Sequence, residues 1–126
     1  MITVIGIFEK YELADEASSY LLANEFKSEN IDIHTSANEA TDHVTGFFNH
    51  LFEDVDTAAV HIEAGLKGTI VTIHAQSIRE AQEAVDVMNN YGAIDVNIPG
   101  TAEVLSRIVE RPVNKIFRLK NNNNTI

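Results

Sequence analysis

Residues 69–92 read T-I-V-T-I-H-A-Q-S-I-R-E-A-Q-E-A-V-D-V-M-N-N-Y-G, a strand pattern running into a helix pattern. Its first seven residues are rich in β-branched side chains and offer apolar groups to both sides, as a strand covered on both faces does. Ser77-Ile-Arg-Glu80 is a capping box: the serine hydroxyl accepts from an orphan backbone N–H while the glutamate reaches back toward the preceding turn. The helix that it opens places Ile78, Ala81, Val85 and Met88 on one face and stops at Gly92. Ile94, Val96 and Ile98 then alternate with Asp95 and Asn97, and Pro99-Gly100 ends that run as a further strand.

The same unit stands at the start of the chain. ITVIGIF (2–8) has apolar residues on both faces. From Tyr11 to Ala23, Leu13, Ala14, Ala17, Tyr20 and Leu21 recur at helical spacing, and Asn24 is a natural left-handed stop. IDIHT (31–35) alternates strictly, with Asp32 and His34 on one face, the pattern of an edge strand. Between the two units, residues 36–42 are polar, and Val44, Phe47, Phe48, Leu51 and Phe52 form the apolar stripe of an amphipathic helix. Asp54 or Asp56 caps a following helix carrying Ala59, Val60, Ile62 and Leu66, which ends at Gly68. After Gly100 the spacing of Val104, Leu105, Ile108 and Val109 predicts a helix from Thr101 to about Glu110, halted by Pro112. Residues 113–119 add a strand or a packed arm.

Two βαβ units separated by a two-helix insert (about 36–68) predict an α+β, ferredoxin-like split βαβ sandwich with strand order 4-1-3-2. A doubly wound parallel sheet is the rival, since residues 36–68 are long enough for a crossover. The apolar first and third strands suit the centre, and the alternating second and fourth suit the edges. Residues 1–100 form the α/β domain, and 101–126 a C-terminal helix with a basic, partly disordered arm. A sandwich of this kind has helices on one face only. One register then leaves Val4, Gly6, Phe8, Ile70 and Thr72 on the other face, an apolar patch rarely left in water. The Phe-rich helix, the C-terminal segment or a second subunit must cover it, which predicts a homodimer or a self-covered face.

Composition narrows the function by exclusion. The chain has 126 residues, 44% hydrophobic and 22% charged, which is one globular domain. It has no cysteine, which removes disulfides, thiolate zinc sites and cysteine nucleophiles. The net charge of −10 argues against nucleic acid as a partner, and no apolar run approaches a membrane span. The N-terminus has no signal pattern, so the expectation is a cytoplasmic protein without membrane attachment. The charge is uneven. Residues 1–100 hold 4 basic and 17 acidic side chains, whereas 101–126 hold 5 basic (Arg107, Arg111, Lys115, Arg118, Lys120) and 2 acidic. A basic arm on an acidic body is expected to pack on its own domain or on a partner copy. Phe47, Phe48, Phe52, Arg118 and Lys120 are therefore the candidate interface residues.

No catalytic signature is present: there is no GxGxxG after the first strand, no P-loop lysine and no nucleophile elbow. Catalytic residues, cofactor and metal are all expected to be none. The five histidines (34, 43, 50, 61, 74) contain no HxxxH pair and read mostly as surface residues. His34 and His74 differ, because neighbouring second and third strands bring them, with Asp32 and Thr72, toward one polar patch. A base or metal role there requires hydrogen-bond reach among them.

The opening VIGIF, its acidic Ala-rich helix, and NEFKSENIDI, followed by HIEAGLKGTIVTIHA and SIREAQEAVDVMNNYGAIDV, resemble the YflT-like family of bacterial general (heat-induced) stress proteins. The likeness spans about residues 3–97. It departs at the Phe-rich helix, where that family is often glycine-rich, and residues 101–126 have no counterpart. The resemblance implies a small stress-associated module with no established reaction and no site residues to carry over. The leading expectation is a non-catalytic stress-response module acting through self-association or protein binding. The alternatives are a small-ligand-binding regulatory domain at a dimer interface and a cofactor-free oxygenase with an enclosed apolar cavity.

Overall fold

The computed structural model describes residues 2–35, 41–94, 106–109, 113 and 117–119. Strands β1 (Ile2–Phe8), β2 (Ile31–Thr35), β3 (Thr69–Ala75) and β4 (Ser106–Val109) form one sheet in the order β2-β3-β1-β4. Every pairing is antiparallel, which excludes the doubly wound parallel sheet. The architecture is mixed α+β, and the two most apolar strands are central.

Helices α1 (Tyr11–Ala23) and α4 (Ile78–Asn90) cover one face of the sheet; α2 (Thr41–Leu51) and α3 (Val55–Lys67) cover the other. The first core joins Val4, Phe8, Val71 and Ile73 to alanines 14, 17, 81 and 84, with Leu21 and Met88. Small side chains let these helices approach the sheet closely: a Cβ on Gly6 would stand 2.7 Å from the Met88 sulfur. The second core joins Ile5, Ile7 and Ile70 to Val44, Phe47, Phe48, Leu51, Ala58 and Leu119.

The capping residues act as their chemistry requires. The Ser77 hydroxyl accepts from Glu80 N at 3.1 Å, and the Glu80 carboxylate accepts from Gln76 N at 3.0 Å. Asp54 is the cap of α3, accepting from Thr57 N at 2.8 Å and from the Thr57 hydroxyl at 2.7 Å. These bonds hold the exposed Asp54 carboxyl below its ordinary range. Gly68 ends α3 in extended backbone, where a Cβ would meet the Phe8 carbonyl at 2.4 Å.

Several expectations are corrected. Among the described residues the fourth strand is Ser106–Val109; of the strand expected over 94–98 only Ile94 is described, next to Ala93, which bridges to Phe8, and residues 95–100 lie outside the described residues. The helix expected over 101–110 is replaced at 106–109 by this strand, while 101–105 lie outside the description. Ile108 packs into the first core and Val109 into the second, on opposite faces as a strand's period of two demands. The left-handed residue after α1 is Glu25 (φ 74°), whereas Asn24 donates its side-chain amide to Tyr20 O. Ile78 is exposed, and Ala84 and Val87 take its place in the buried face of α4. The buried stripe of α3 is Ala58, His61 and Gly65, with Ala59 exposed.

The division of the two sheet faces also differs. Cross-strand partners share a face, and the register pairs Val4 with Ile73, Gly6 with Val71, Ile5 with Thr72 and Ile7 with Ile70. Val4, Gly6 and Phe8 therefore face α1 and α4, and Ile70 and Thr72 lie opposite them with Ile5 and Ile7. That second face is covered by the chain itself. Phe47 and Phe48 are fully buried in it and Phe52 is half-buried, so these three pack within the chain. The arm closes over the same layer: Phe117 stacks on the His50 ring at 4.4 Å, and Leu119 enters the core.

Candidate functional site

Polar side chains collect on the α2–α3 face of the sheet. The register places Asp32 beside Thr72, Thr72 beside Ile5 and Ile5 beside Arg107, one row across all four strands. His74 beside Thr3 and His34 beside Ile70 flank that row. Asp32, His34, Thr72 and His74, the patch expected from sequence, are thus on one face, and all four are buried.

Asp32 is the hub. His74 Nε2 lies 2.8 Å from Asp32 Oδ2. An ionised carboxylate only accepts, so this ring nitrogen carries the proton. From 86 residues further along the chain, Arg118 Nε donates to Oδ2 at 2.8 Å and Nη2 to Oδ1 at 2.8 Å, a side-on bidentate pair. Arg118 Nη2 also donates to Glu29 O at 2.8 Å. Burial alone would raise the Asp32 pKa and is the largest single influence. The hydrogen bonds and charges of His74 and Arg118 together outweigh it and hold the carboxyl below its ordinary value. Asp32 is ionised, enclosed and committed to two partners within its own chain. The hydroxyl of Thr72 is buried beside it without a hydrogen-bond partner among the described residues.

A second polar group stands at the opposite edge of the same face. Arg107, on β4, borders a cleft with Val109, Leu51, Phe52, Asp54 and Thr57. Its Nε and Nη2 are buried and have no hydrogen-bond partner among the described residues, and burial lowers its pKa. Nearby His61 is buried between the Phe48 and Phe52 rings at 5.5 and 4.6 Å, with Nδ1 donating to Thr57 O at 2.8 Å. Burial lowers the His61 pKa most, and the Arg107 charge adds to it, against the Thr57 bond that raises it. His61 is therefore a neutral core histidine, which corrects the reading of it as a surface residue. His43 is exposed and His50 half-buried.

Of the candidate interface residues, Phe47, Phe48 and Phe52 line the internal core, Arg118 pairs with Asp32, and Lys120 lies outside the described residues. Arg107 and His61 escaped the sequence reading. The signal for Arg107 was a single cation within a short β-branched run, hidden because the same residues also fit helical spacing. Among the described residues no group of three or more potential ligands is placed to hold a metal ion, and no helix is long and apolar enough to cross a membrane. Comparison of the chain with protein families, with curated proteins and with solved structures finds no match.

Proposed function

We propose that this chain is a non-catalytic stress-response module of the cytoplasm, a ferredoxin-like split βαβ sandwich with a two-helix insert, that works by binding another protein. The observation that carries the reading is the internal closure of the α2–α3 face. Its acid, Asp32, is bound by His74 and Arg118, and its apolar floor lies under the chain's own helices and arm. An acid–base pair so enclosed is a fastening rather than a reaction centre, because a substrate proton has no route to it. The strand order supports the ferredoxin-like arrangement, and the sequence resemblance supports the stress-response assignment.

What remains for a partner is the outer layer of α1 and α4. Four of the five large apolar side chains exposed among the described residues, Tyr11, Tyr20, Leu22 and Ile78, are on these helices. A groove between them is walled by Tyr20 and Tyr91, with ring centroids 6.0 Å apart, and edged by Glu83 and Asp86. The two helices carry six acids (Glu12, Asp15, Glu16, Glu80, Glu83, Asp86) and one base, Arg79. Two copies meeting through this layer repel, whereas a basic segment gains charge complementarity and cation–π contact with the tyrosines. A basic partner is therefore better supported than self-association.

Fluorescence anisotropy of a labelled helical peptide with Lys and Arg along one face tests this. Binding should weaken with added salt and be lost in the double variant Glu83→Lys/Asp86→Lys. Binding unaltered by that reversal would overturn the reading. So would turnover, in a panel of hydrolytic and oxidative substrates, that depends on Asp32 or His74.

A further inference from the structure

Residues 117–119, Phe-Arg-Leu, lie on the α2–α3 face as a peptide lies on its receptor. The Phe117 ring stacks on His50 at 4.4 Å with the planes 10° apart. It also passes over Gly46, one turn earlier on α2, where a Cβ would stand 3.9 Å from it. Arg118 gives Nε and Nη2 to the two oxygens of Asp32 and shares Nη2 with Glu29 O, each at 2.8 Å. Leu119 is 3% exposed in the second core. Three successive side chains thus meet an aromatic shelf on α2, a carboxylate on β2 and an apolar socket. Among the described residues the backbone of this segment makes no hydrogen bond to the rest of the chain. A ladder strand is held by backbone register, whereas this segment is held by what its side chains recognise.

We propose that this seat is a recognition site for an aromatic-Arg-aliphatic tripeptide, and that two copies of the chain exchange residues 117–119 through it, Arg118 of each copy binding Asp32 of the other. The exchange uses the α2–α3 face. It does not depend on the protein-binding reading, and the repulsion between two α1–α4 layers does not bear on it.

Three observations support a second copy as the occupant. Every contact that fills the seat within one chain is reproduced in the exchanged pair, so exchange sacrifices none of them. The charges favour the encounter: residues 1–100 hold 4 basic and 17 acidic side chains, against 5 basic and 2 acidic in 101–126. The basic end of one copy is therefore drawn to the acidic body of another. Access comes from the segment itself. The Arg118 side chain is 17% exposed and the Asp32 side chain beneath it 3%, so the carboxylate is reached along the path that Arg118 fills and opens when Arg118 leaves. Within one chain the tethered segment competes at an effective concentration of about a millimolar. Exchange is accordingly favoured wherever docking within the chain is weakened.

The chain contains no tryptophan, so full-length Phe117→Trp places a single fluorophore on His50. A synthetic peptide of residues 113–120 (VNKIFRLK), in excess, should displace the tethered segment and shift that emission to the red. The same peptide with Arg118→Lys keeps the charge but not the fork and should need about tenfold more; with Arg118→Glu it should have no effect. Full-length Arg118→Gln, whose own segment has lost its fork, should bind the labelled peptide about tenfold more tightly than the parent chain does. Mixing Arg118→Gln, which keeps the seat, with Asp32→Asn, which keeps the segment, should give a dimer by light scattering where each alone is a monomer. No red shift, an equal shift with the Arg118→Glu peptide, equal peptide binding by Arg118→Gln and the parent, or a mixture that stays monomeric would each overturn the proposal. Should either variant fail to fold, the Phe117→Trp titration decides alone: a shift that requires the peptide's arginine upholds the exchange, and its absence refutes it.

Discussion

The two faces of this sheet are built by different rules. The face under α1 and α4 is mostly apolar, with Thr69 opposite Phe8 and Ser18 of α1 as buried exceptions, and is closed by alanine-rich helices that follow directly on β1 and β3. The face under α2 and α3 holds Thr3, Asp32, His34, Thr72, His74 and Arg107 among its isoleucines, and part of its cover, Arg118 and Leu119, comes from the far end of the chain. The first face follows from local sequence, where crossover helices pack back on the strands they connect. The second depends on long-range contacts and on charges that must be matched. Stability there is tied to pH and to the arm in a way that stability of the first face is not.

Three experiments bear on that contrast. Phe48 is fully buried on the second face, with ring contacts to Phe47, Phe52 and His61. Phe48→Ala should cost about 4 kcal/mol in urea unfolding, the expected range for a buried phenylalanine. A cost near zero would mean that α2 is a detachable flap and that the first face stands alone. Asp32→Asn leaves Arg118 without its carboxylate and should cost about 3 kcal/mol. Hydrogen exchange should show the loss in β2 and α2 before α1 and α4. Uniform loss across both faces would show that the two faces unfold as one unit.

The third concerns pH. The folded pKa of His61 lies below its ordinary 6.5, so the unfolded chain binds the proton more readily. Stability therefore falls as pH drops below about 6.5 and goes on falling until the folded value is reached. The folded pKa of Asp32 lies below 3.8. Its contribution is complete above the unfolded value and is lost as pH falls through the folded one. Acid unfolding should accordingly have an early His61 stage and a late Asp32 stage, and His61→Phe should remove only the early one. A single acid stage, unchanged by that substitution, would refute the assignment.

Much of the first face was legible in the sequence. Ser77 with Glu80, the helical spacing of Ala14, Ala17 and Leu21, and the β-branched runs at 2–8 and 69–75 are local signals. They set α1, α4, β1 and β3 to the residue or nearly so. The grouping of Asp32, His34, Thr72 and His74 was legible too, because strand order alone makes β2 and β3 neighbours. Their burial was not, since it depends on helices of the insert and on Arg118. The membership of each face was misread because it is a property of paired strands: a one-residue change in register exchanges Val4 for Ile5. The strand β4 was hidden for a different reason. In four residues a period of two barely shows, and Leu105, Ile108 and Val109 also satisfy helical spacing.

The bond from Arg118 to Asp32 sets an order of events during synthesis. When β1, α1, β2, β3 and α4 have left the ribosome, the first core already has its helices and central strands. Arg118 emerges 86 residues after the carboxylate it neutralises. Until then the nascent chain has one face able to close and another whose buried acid lacks its cation. The half-made protein therefore holds Asp32 through His74 alone, and that corner of the α2–α3 face closes only when Arg118 arrives.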